Sequence, residues 1–548
     1  MSVDKNKPTL GFWLEIPPVG NMVGEGICRA LAWILRSAQR TREARILIAV
    51  PVWAQHQLEM LLRDQNVSAT DLEVVFSRRR APLFLRLFVW MHERGRRPGR
   101  LTWSARLRNL AKRIRDSLRR SKKLLAFTVG ILATESYVLF GLLLLLASCL
   151  ALVLAPLALL IWIVWKLALL TRRLLSPLAR RLAPLKAPVI RAFTFLYFRV
   201  IDHEYKVLAA KAAKRRDISC WFVAQPWAAE ARALRGPLVV ALWDFVFADF
   251  PTGFDPALVD SIEGKFHLLL KRADRVVTSS EYVRDQHAIQ HFGVDRSITR
   301  VVPITPADYT DRLASLGRTC NGDVRRAAAQ TIRGFLRSKA DDDLWNEPQV
   351  RRWLLDFPID EVQFLFNSSQ IRPHKNVLNL LKAFEILLRR RYLNVKLFLT
   401  GRLDRSCPEV LDFVHGRRLH LDVISVPDLP SDVHAAFYAL SALTVAPSLF
   451  EAGLPIMFSE SVSSGTPIVM SSMPQTLELI PPDLAKTMLF NPYDVNDIAK
   501  RIAWALENRE ELLRSQKRLY AHIRERTTDD MGREYLKIMT EASALGRP

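Results

Sequence analysis

Short apolar runs alternate with amphipathic stretches over most of this chain, and that alternation limits the fold more than any other feature. Residues 9–16 (TLGFWLEI), 45–51 and 72–76 read as buried strands, with helices starting near Gly26 and over about 54–64. The pattern returns at 217–226 (DISCWFVAQP), 236–244 (GPLVVALWD), 272–286 (RADRVVTSSEYVRDQ, with Ser279 or Ser280 as helix N-cap) and 297–305 (SITRVVPIT). It resumes from about 358 with further strands in DEVQFLFNSS, NVKLFLTG, SSGTPIVMSS and TMLFNPYD, again separated by helices. Strands that are apolar throughout and joined by helices belong to parallel sheets covered on both faces. The expected class is therefore α/β, with two doubly wound domains.

The alternation breaks at Arg78. The chain carries a net charge of +24. Lys and Arg minus Asp and Glu give +7 over residues 78–100, +8 over 101–123, 0 over 124–171 and +6 over 172–191; these sum to +21 and leave +3 elsewhere. The charge thus brackets one apolar tract, 124–170, within which Ser136–Trp165 holds no charged residue. A nucleic-acid surface would need basic and stacking residues in a folded groove. Basic flanks beside an apolar tract instead predict a cytoplasmic membrane face with anionic lipid, and no nucleic-acid partner. Residues 101–123 read as a basic amphipathic helix suited to a bilayer surface. The tract is too long for one pass, because 47 residues of helix extend about 70 Å against a hydrocarbon core of about 30 Å. A hairpin turning between about Ala147 and Pro156, with both flanks on the same side, is expected.

Five cysteines stand apart from one another and from histidines, which predicts neither disulfides nor a zinc site. The first twenty residues lack an apolar core, so no signal peptide is expected. No acidic pair is spaced for a metal, so none is expected. His287 and His291 are expected on a helix surface.

Several residues suit a phosphate-bearing ligand. Gly24 and Gly26 open a helix after the first strand, where amide groups can face an anion, although a plain tight turn reads the same way. Glu451 and Glu460 flank Gly453-Leu454-Pro455 in LFEAGLPIMFSES. Lys375 and Arg372 lie in a short loop that can carry charge to an anion. Plainer readings stand beside these: Glu460 as a helix N-terminal carboxylate, Lys375 as a solvated lysine, Trp243 as core packing and Asp244 as a turn cap.

Four stretches occur in the order found in the retaining glycosyltransferases of family 4: NSSQIRPHKNVLNLLKAF (367–384), VKLFLTG (395–401), APSLFEAGLPIMFSESVSSGTPIV (446–469) and MLFNPYDVNDIAKRI (488–502). The chain resembles that family there, and more loosely through GPLVVALWDFVFADFP (236–251) and RADRVVTSSEYVRDQ (272–286). The resemblance implies the GT-B fold: two Rossmann-like domains, here with a membrane-embedded helical hairpin inserted in the first. Residues 1–77 and 217–310 would form the N-terminal acceptor domain, 78–216 the insert, 311–357 a connecting segment and 358–548 the nucleotide-sugar domain.

The same resemblance implies transfer of a sugar from a nucleoside-diphosphate sugar, with retention, to a lipid-linked or polysaccharide acceptor, without a cofactor. Both soluble domains would face the cytoplasm from the inner membrane. Catalysis would fall to Glu451 and Lys375. Donor contacts would come from Gln370, Arg372, Lys375, Gly453, Leu454, Pro455 and Glu460, the last at the ribose. Gly24, Gly26, Trp243 and Asp244 would line the acceptor cleft. The sequence departs from the family's pattern at three points: eight residues rather than seven separate the glutamates, Gln370 stands where an arginine is usual, and Trp243-Asp244 replaces His-Asp. A degenerate membrane scaffold, or a sugar phosphorylase or sugar-phosphate synthase on the same fold, is the alternative.

Overall fold

The computed structural model describes residues 7–18, 26–65, 67–69, 71–94, 176–243, 245–338, 353–403 and 407–545, with the single positions 138, 141, 142 and 145. Two parallel sheets carry the fold. The chain divides into two compact units, residues 1–32, 42–237 and 546–548, and residues 33–41 and 238–545.

The first unit contains β1 (Thr9–Trp13), the start of α1 (Gly26–Thr41), β2 (Arg45–Val50), α2 (Gln55–Asp64), β3 (Leu72–Phe76), α3 (Leu83–Arg94), α4 (Ser176–Ala212) and β4 (Ile218–Val223). Its strands run in the order β3-β2-β1-β4. All are parallel, with Thr9 to Trp13 beside Arg45 to Ala49, and Ile46 beside Leu72. Phe12, Trp13 and Phe222 are fully buried, as strands covered on both faces require. Gly11 fits only as glycine, because a Cβ there would lie 2.4 Å from the Trp221 ring. The first strand is shorter than expected. Past Leu14, whose amide still donates to the Ala49 carbonyl at 3.0 Å, the backbone pairs with a side chain instead: Glu15 N donates to Gln225 Oε1 at 2.7 Å, and Gln225 Nε2 donates back to the Glu15 carbonyl at 2.8 Å.

The second unit begins its sheet strands with β5 (Leu238–Leu242), followed by α5 (Pro256–Leu270), β6 (Arg275–Thr278), a π-helical segment Val283–His291 and β7 (Thr299–Val301). Asp255 caps α5 by accepting from the Ala257 amide at 2.9 Å, and Pro256 supplies the fixed first turn. Ser280 is the cap in the next helix: its Oγ accepts from the Val283 amide at 3.2 Å.

Then follow α6 (Thr310–Arg318), α7 (Val324–Ser338), β8 (Phe364–Asn367), α8 (Val377–Arg389), β9 (Lys396–Leu399), α9 (Pro408–Gly416), β10 (Val423–Ser425), α10 (Ser431–Leu440), β11 (Leu443–Ala446), α11 (Ile456–Ser463), β12 (Ile468–Ser471), α12 (Pro482–Met488) and β13 (Leu489–Phe490). Three helices close the chain: α13 (Val495–Glu507), α14 (Arg509–Arg524) and α15 (Thr528–Ala544). The strands from β8 onward form a six-stranded parallel sheet ordered β10-β9-β8-β11-β12-β13, the doubly wound order in which the chain reverses beside β8.

Residues 311–357, expected as a connector, are folded where described. The stripe Ala328, Ile332, Phe335 and Leu336 of α7 packs with Phe364, Phe437 and Tyr438 in one core. The polar character that suggested a linker belongs to the outer side of these helices. At the C-terminus, α15 returns to α1: Ser37 Oγ donates to the Asp529 carbonyl at 3.1 Å, and a Cβ on Gly532 would lie 2.1 Å from Ser37 Cβ.

Among the described residues no helix is long and apolar enough to cross a membrane. The hairpin expected within 124–170 lies outside them, apart from the four single positions.

Candidate active site

The ends of β8 and β11 bring the two expected catalytic residues together. Past β8 the chain runs through Ser368, Ser369, the exposed Gln370 and Arg372, and a single 3-10 turn, Pro373–Lys375, which ends at Asn376. Asn376 takes the left-handed conformation at φ 53° and fixes the turn by donating to the Pro492 carbonyl at 2.8 Å. Past β11 the Leu449 amide donates to the His374 carbonyl at 2.7 Å, which pins the second loop to the first. As a result Lys375 Nζ lies 2.6 Å from Glu451 Oε1, and Ser448 Oγ donates to the same oxygen at 2.6 Å. The two side chains of this ion pair are 21 % and 18 % exposed. They are close enough to the surface to meet a ligand and shielded enough for their charges to act strongly.

The Gly453-Leu454-Pro455 turn is held from a second direction. Ser279, just past β6, places its Oγ 2.7 Å from the Ala452 carbonyl and 2.8 Å from the Trp243 carbonyl. Leu454 packs on the main core of the six-stranded sheet, and Pro455 leads into α11. The backbone beside Glu451 is therefore fastened to both loops and to the end of β6.

Glu460 lies on α11 and is only 3 % exposed. Tyr438 donates to its Oε2 at 2.9 Å and Tyr309 to its Oε1 at 3.1 Å. Tyr309 Oη also lies 2.8 Å from His434 Nδ1, and His434 Nε2 lies 2.5 Å from Ser368 Oγ. One direction of donation satisfies this chain: Ser368 to Nε2, Nδ1–H to Tyr309, Tyr309 to Glu460. Burial and the neighbouring carboxylate push the Tyr438 hydroxyl well above its ordinary pKa, so it remains a donor. The plainer reading of Glu460, a carboxylate at a helix N-terminus, does not match this arrangement. Glu460 sits in the second turn of α11 and takes its hydrogen bonds from tyrosines.

Other expected residues are placed differently. Trp243 is buried and donates its indole N–H to Tyr535 at 2.7 Å, so it is a packing residue against α15 and not a platform for a sugar ring. Gly26 opens α1, while Gly24 and Asp244 lie outside the described residues. His287, expected on the surface, is buried: its Nε2 lies 2.8 Å from Asp249 Oδ2, and its ring lies 5.6 Å from that of Phe450. Burial works against ionisation of Asp249. Hydrogen bonds from His287 and from Tyr282, the latter at 2.6 Å, outweigh it and hold this carboxyl below its usual range. His291 is the more exposed of the two histidines, 2.9 Å from Glu263.

His374 is a site residue that sequence reasoning passed over. It is buried beside Lys375 and faces the Phe254 ring at 6.3 Å. Burial first, and then the Lys375 charge, lower its pKa to about 4, so the imidazole is neutral near pH 7. The tyrosine clasp on Glu460 had a signal in the sequence. A glutamate in the otherwise apolar IMFSESV must find hydrogen-bond donors when buried, although their identity depends on the fold.

Residues 356–525 match the family model described as glycosyl transferases group 1. No curated protein sequence matches the chain. Among solved structures, Anabaena Alr3699/HepE in complex with UDP-glucose aligns at 12% identity with a TM-score of 0.53, covering 97% of this chain and 99% of that one. The N-terminal domain of Candida albicans trehalose-6-phosphate phosphatase aligns at 12% identity and a TM-score of 0.52, covering 98% and 97%. At such identities the likeness is one of fold. The match to group 1 glycosyl transferases spans Lys375, Glu451 and Glu460, and the likeness to solved structures is that of a GT-B-like fold.

Proposed function

We propose that this protein transfers a sugar from a nucleoside-diphosphate sugar, with retention at the anomeric carbon, to a membrane-borne acceptor such as a lipid-linked oligosaccharide or a growing polysaccharide. The observation that carries this reading is the Lys375–Glu451 pair at the ends of β8 and β11 in a group 1 domain. Strand C-terminal ends are where open α/β sheets bind ligands. A diphosphate arriving there competes for the Lys375 ammonium and releases Glu451 toward the donor sugar. As the anomeric bond breaks, negative charge grows on the leaving diphosphate, so Lys375 contributes more in the transition state than in the ground state. Arg372 adds charge from the same loop, Gln370 stands where a second cation is usual, and the backbone at Gly453, Leu454 and Pro455 approaches the sugar. Glu460 is assigned to the ribose hydroxyls. A carboxylate oxygen can accept more than one hydrogen bond, so the tyrosines are compatible with that role.

Glu451 and Lys375 act without a cofactor in this reading. The membrane part rests on the +21 of charge around the apolar tract and on Val138, Leu142 and Leu145, large apolar residues that are exposed. The insert is a hairpin with both flanks cytoplasmic, where nucleotide sugars are found. Single cysteines at Ser121 and Ser176, labelled from each side of sealed vesicles, test this, and labelling from opposite faces contradicts it. For the reaction, the purified chain is incubated with UDP- and GDP-sugars and membrane extract. Nucleotide release that requires the extract supports transfer. Release with inorganic phosphate or a soluble sugar phosphate alone favours a phosphorylase or synthase, and no release with any donor favours a scaffold.

A further inference from the structure

Helix α3 is apolar on two opposite sides. Phe84, Leu85 and Phe88 face α4, where Phe84 stacks on Phe193 at 6.0 Å and Phe88 on Tyr197 at 4.0 Å. Leu85 joins Tyr197, Val200, Ile201 and Tyr205 in a small core. Leu83, Leu87 and Trp90 recur at i, i+4 and i+7, one stripe on the other side, and are 36 %, 49 % and 50 % exposed. Phe198 of α4 is exposed as well, with its ring edge-on to Tyr197 at 5.3 Å. A helix on the surface of a soluble domain has one apolar stripe, turned to the core. A second stripe of large residues turned outward marks a surface that is covered in use.

The charge around the stripe selects what covers it. Between residues 78 and 94 the chain has five arginines, Arg78, Arg79, Arg80, Arg86 and Arg94, against one acid, Glu93. A second copy of this chain docking by the same face would set arginines against arginines. An interfacial helix in a bilayer has this composition: apolar residues below the headgroups and cations among them. In sequence, α3 and α4 also flank the segment that holds the charge-free run Ser136–Trp165. We propose that the outer face of α3, formed by Leu83, Leu87 and Trp90, beds into the surface of an anionic bilayer, with the exposed Arg79, Arg80 and Arg86 at headgroup level; Arg78 is held instead by the buried Glu204 at 2.8 Å. This rests on the membrane reading above and adds a second contact, separate from the apolar run.

The test uses the full chain, depleted of native cysteines and reconstituted in vesicles containing about 30 % phosphatidylglycerol. A polarity-sensitive fluorophore is attached to Leu87→Cys, to Leu145→Cys in the apolar run, or to Met60→Cys, an exposed control on α2. Brominated lipid then reports contact with acyl chains. The expected result at Leu87→Cys is a blue-shifted emission and quenching at least roughly twofold stronger than at Met60→Cys, falling when phosphatidylcholine alone is used. The double substitution Leu83→Lys and Trp90→Lys removes the shift. Quenching at Leu145→Cys without quenching at Leu87→Cys overturns this inference and leaves the membrane reading intact. No quenching at either position overturns both. A blue shift at Leu87→Cys before vesicles are added means the chain itself covers the face, which also overturns the inference.

Discussion

Replacing Lys375 with Met separates the two roles that its contact with Glu451 could have. The ion pair is 2.6 Å long, with side chains about one-fifth exposed. Exposed pairs contribute about 0.2–1 kcal/mol, and breaking a fully buried pair costs about 3–5 kcal/mol. Glu451 keeps the Ser448 hydrogen bond when Lys375 is gone and can still reach water. Loss of Lys375 should therefore destabilise the fold by about 1–2 kcal/mol, a shift in Tm of roughly 2 °C in a chain this long. The Glu451→Gln partner variant removes the orphaned charge, so the double variant should regain most of that stability.

Turnover should behave otherwise. Removing a preorganised group that faces developing charge costs about 10²–10³ in kcat, and neutralising Glu451 cannot restore the missing cation. The assays are differential scanning calorimetry for stability, and single-turnover donor cleavage with donor affinity measured separately. Lys375→Met should lower turnover about a hundredfold while weakening donor binding less than about tenfold. A variant with turnover within about threefold of the parent would refute the assignment. So would a double variant that recovers turnover along with stability.

The other sites give sharper contrasts. Glu460→Ala should weaken nucleotide binding by about 1.5–3 kcal/mol, and Tyr438→Phe, which removes one of its two tyrosine donors, by a smaller amount in the same direction; titration calorimetry that finds either unchanged counts against the ribose assignment. His374 titrates near 4 in the fold and near 6.5 unfolded. The unfolded chain therefore binds more protons between those values, and stability should be complete above about 6.5 and fall by up to roughly 3 kcal/mol as pH drops toward 4. His374→Asn should flatten that part of the pH–stability curve, and an unaltered curve would show that other groups cause it. Trp243→Phe leaves the buried Tyr535 hydroxyl without its indole partner and should cost about 1–3 kcal/mol in denaturant unfolding. Nucleotide affinity should not change, and a marked loss would return Trp243 to the binding site.

How much could be read from the sequence depended on the kind of signal. Strands such as LVVAL, and FLFN up to its last residue, are apolar because both faces of a parallel sheet are covered, so their positions and class were legible. Their ends were less so, since β1 stops where Gln225, more than two hundred residues away, takes over its hydrogen bonds. Helix α7 looked like a linker because VRRAAAQTIRGFLRS mixes charge with small residues. Its buried stripe has meaning only once the neighbouring core exists. Lys375 and Glu451 were found through local motifs, and they meet because their loops follow adjacent strands. The partners of Glu460 lie on helices far apart in sequence, and no local pattern names them. His287 was misplaced for the same reason: what buries it is Phe450 and Asp249, supplied by other segments.

The central claim is sugar transfer at the Lys375–Glu451 pair. Its most direct test is the anomeric configuration of the product formed from a nucleoside-diphosphate sugar with an α linkage, followed by proton NMR in the presence of membrane acceptor. The account predicts a product that keeps the α configuration, forms with the parent chain and is reduced at least about a hundredfold in Glu451→Gln and Lys375→Met. An inverted product, or transfer that proceeds undiminished in both variants, would contradict it.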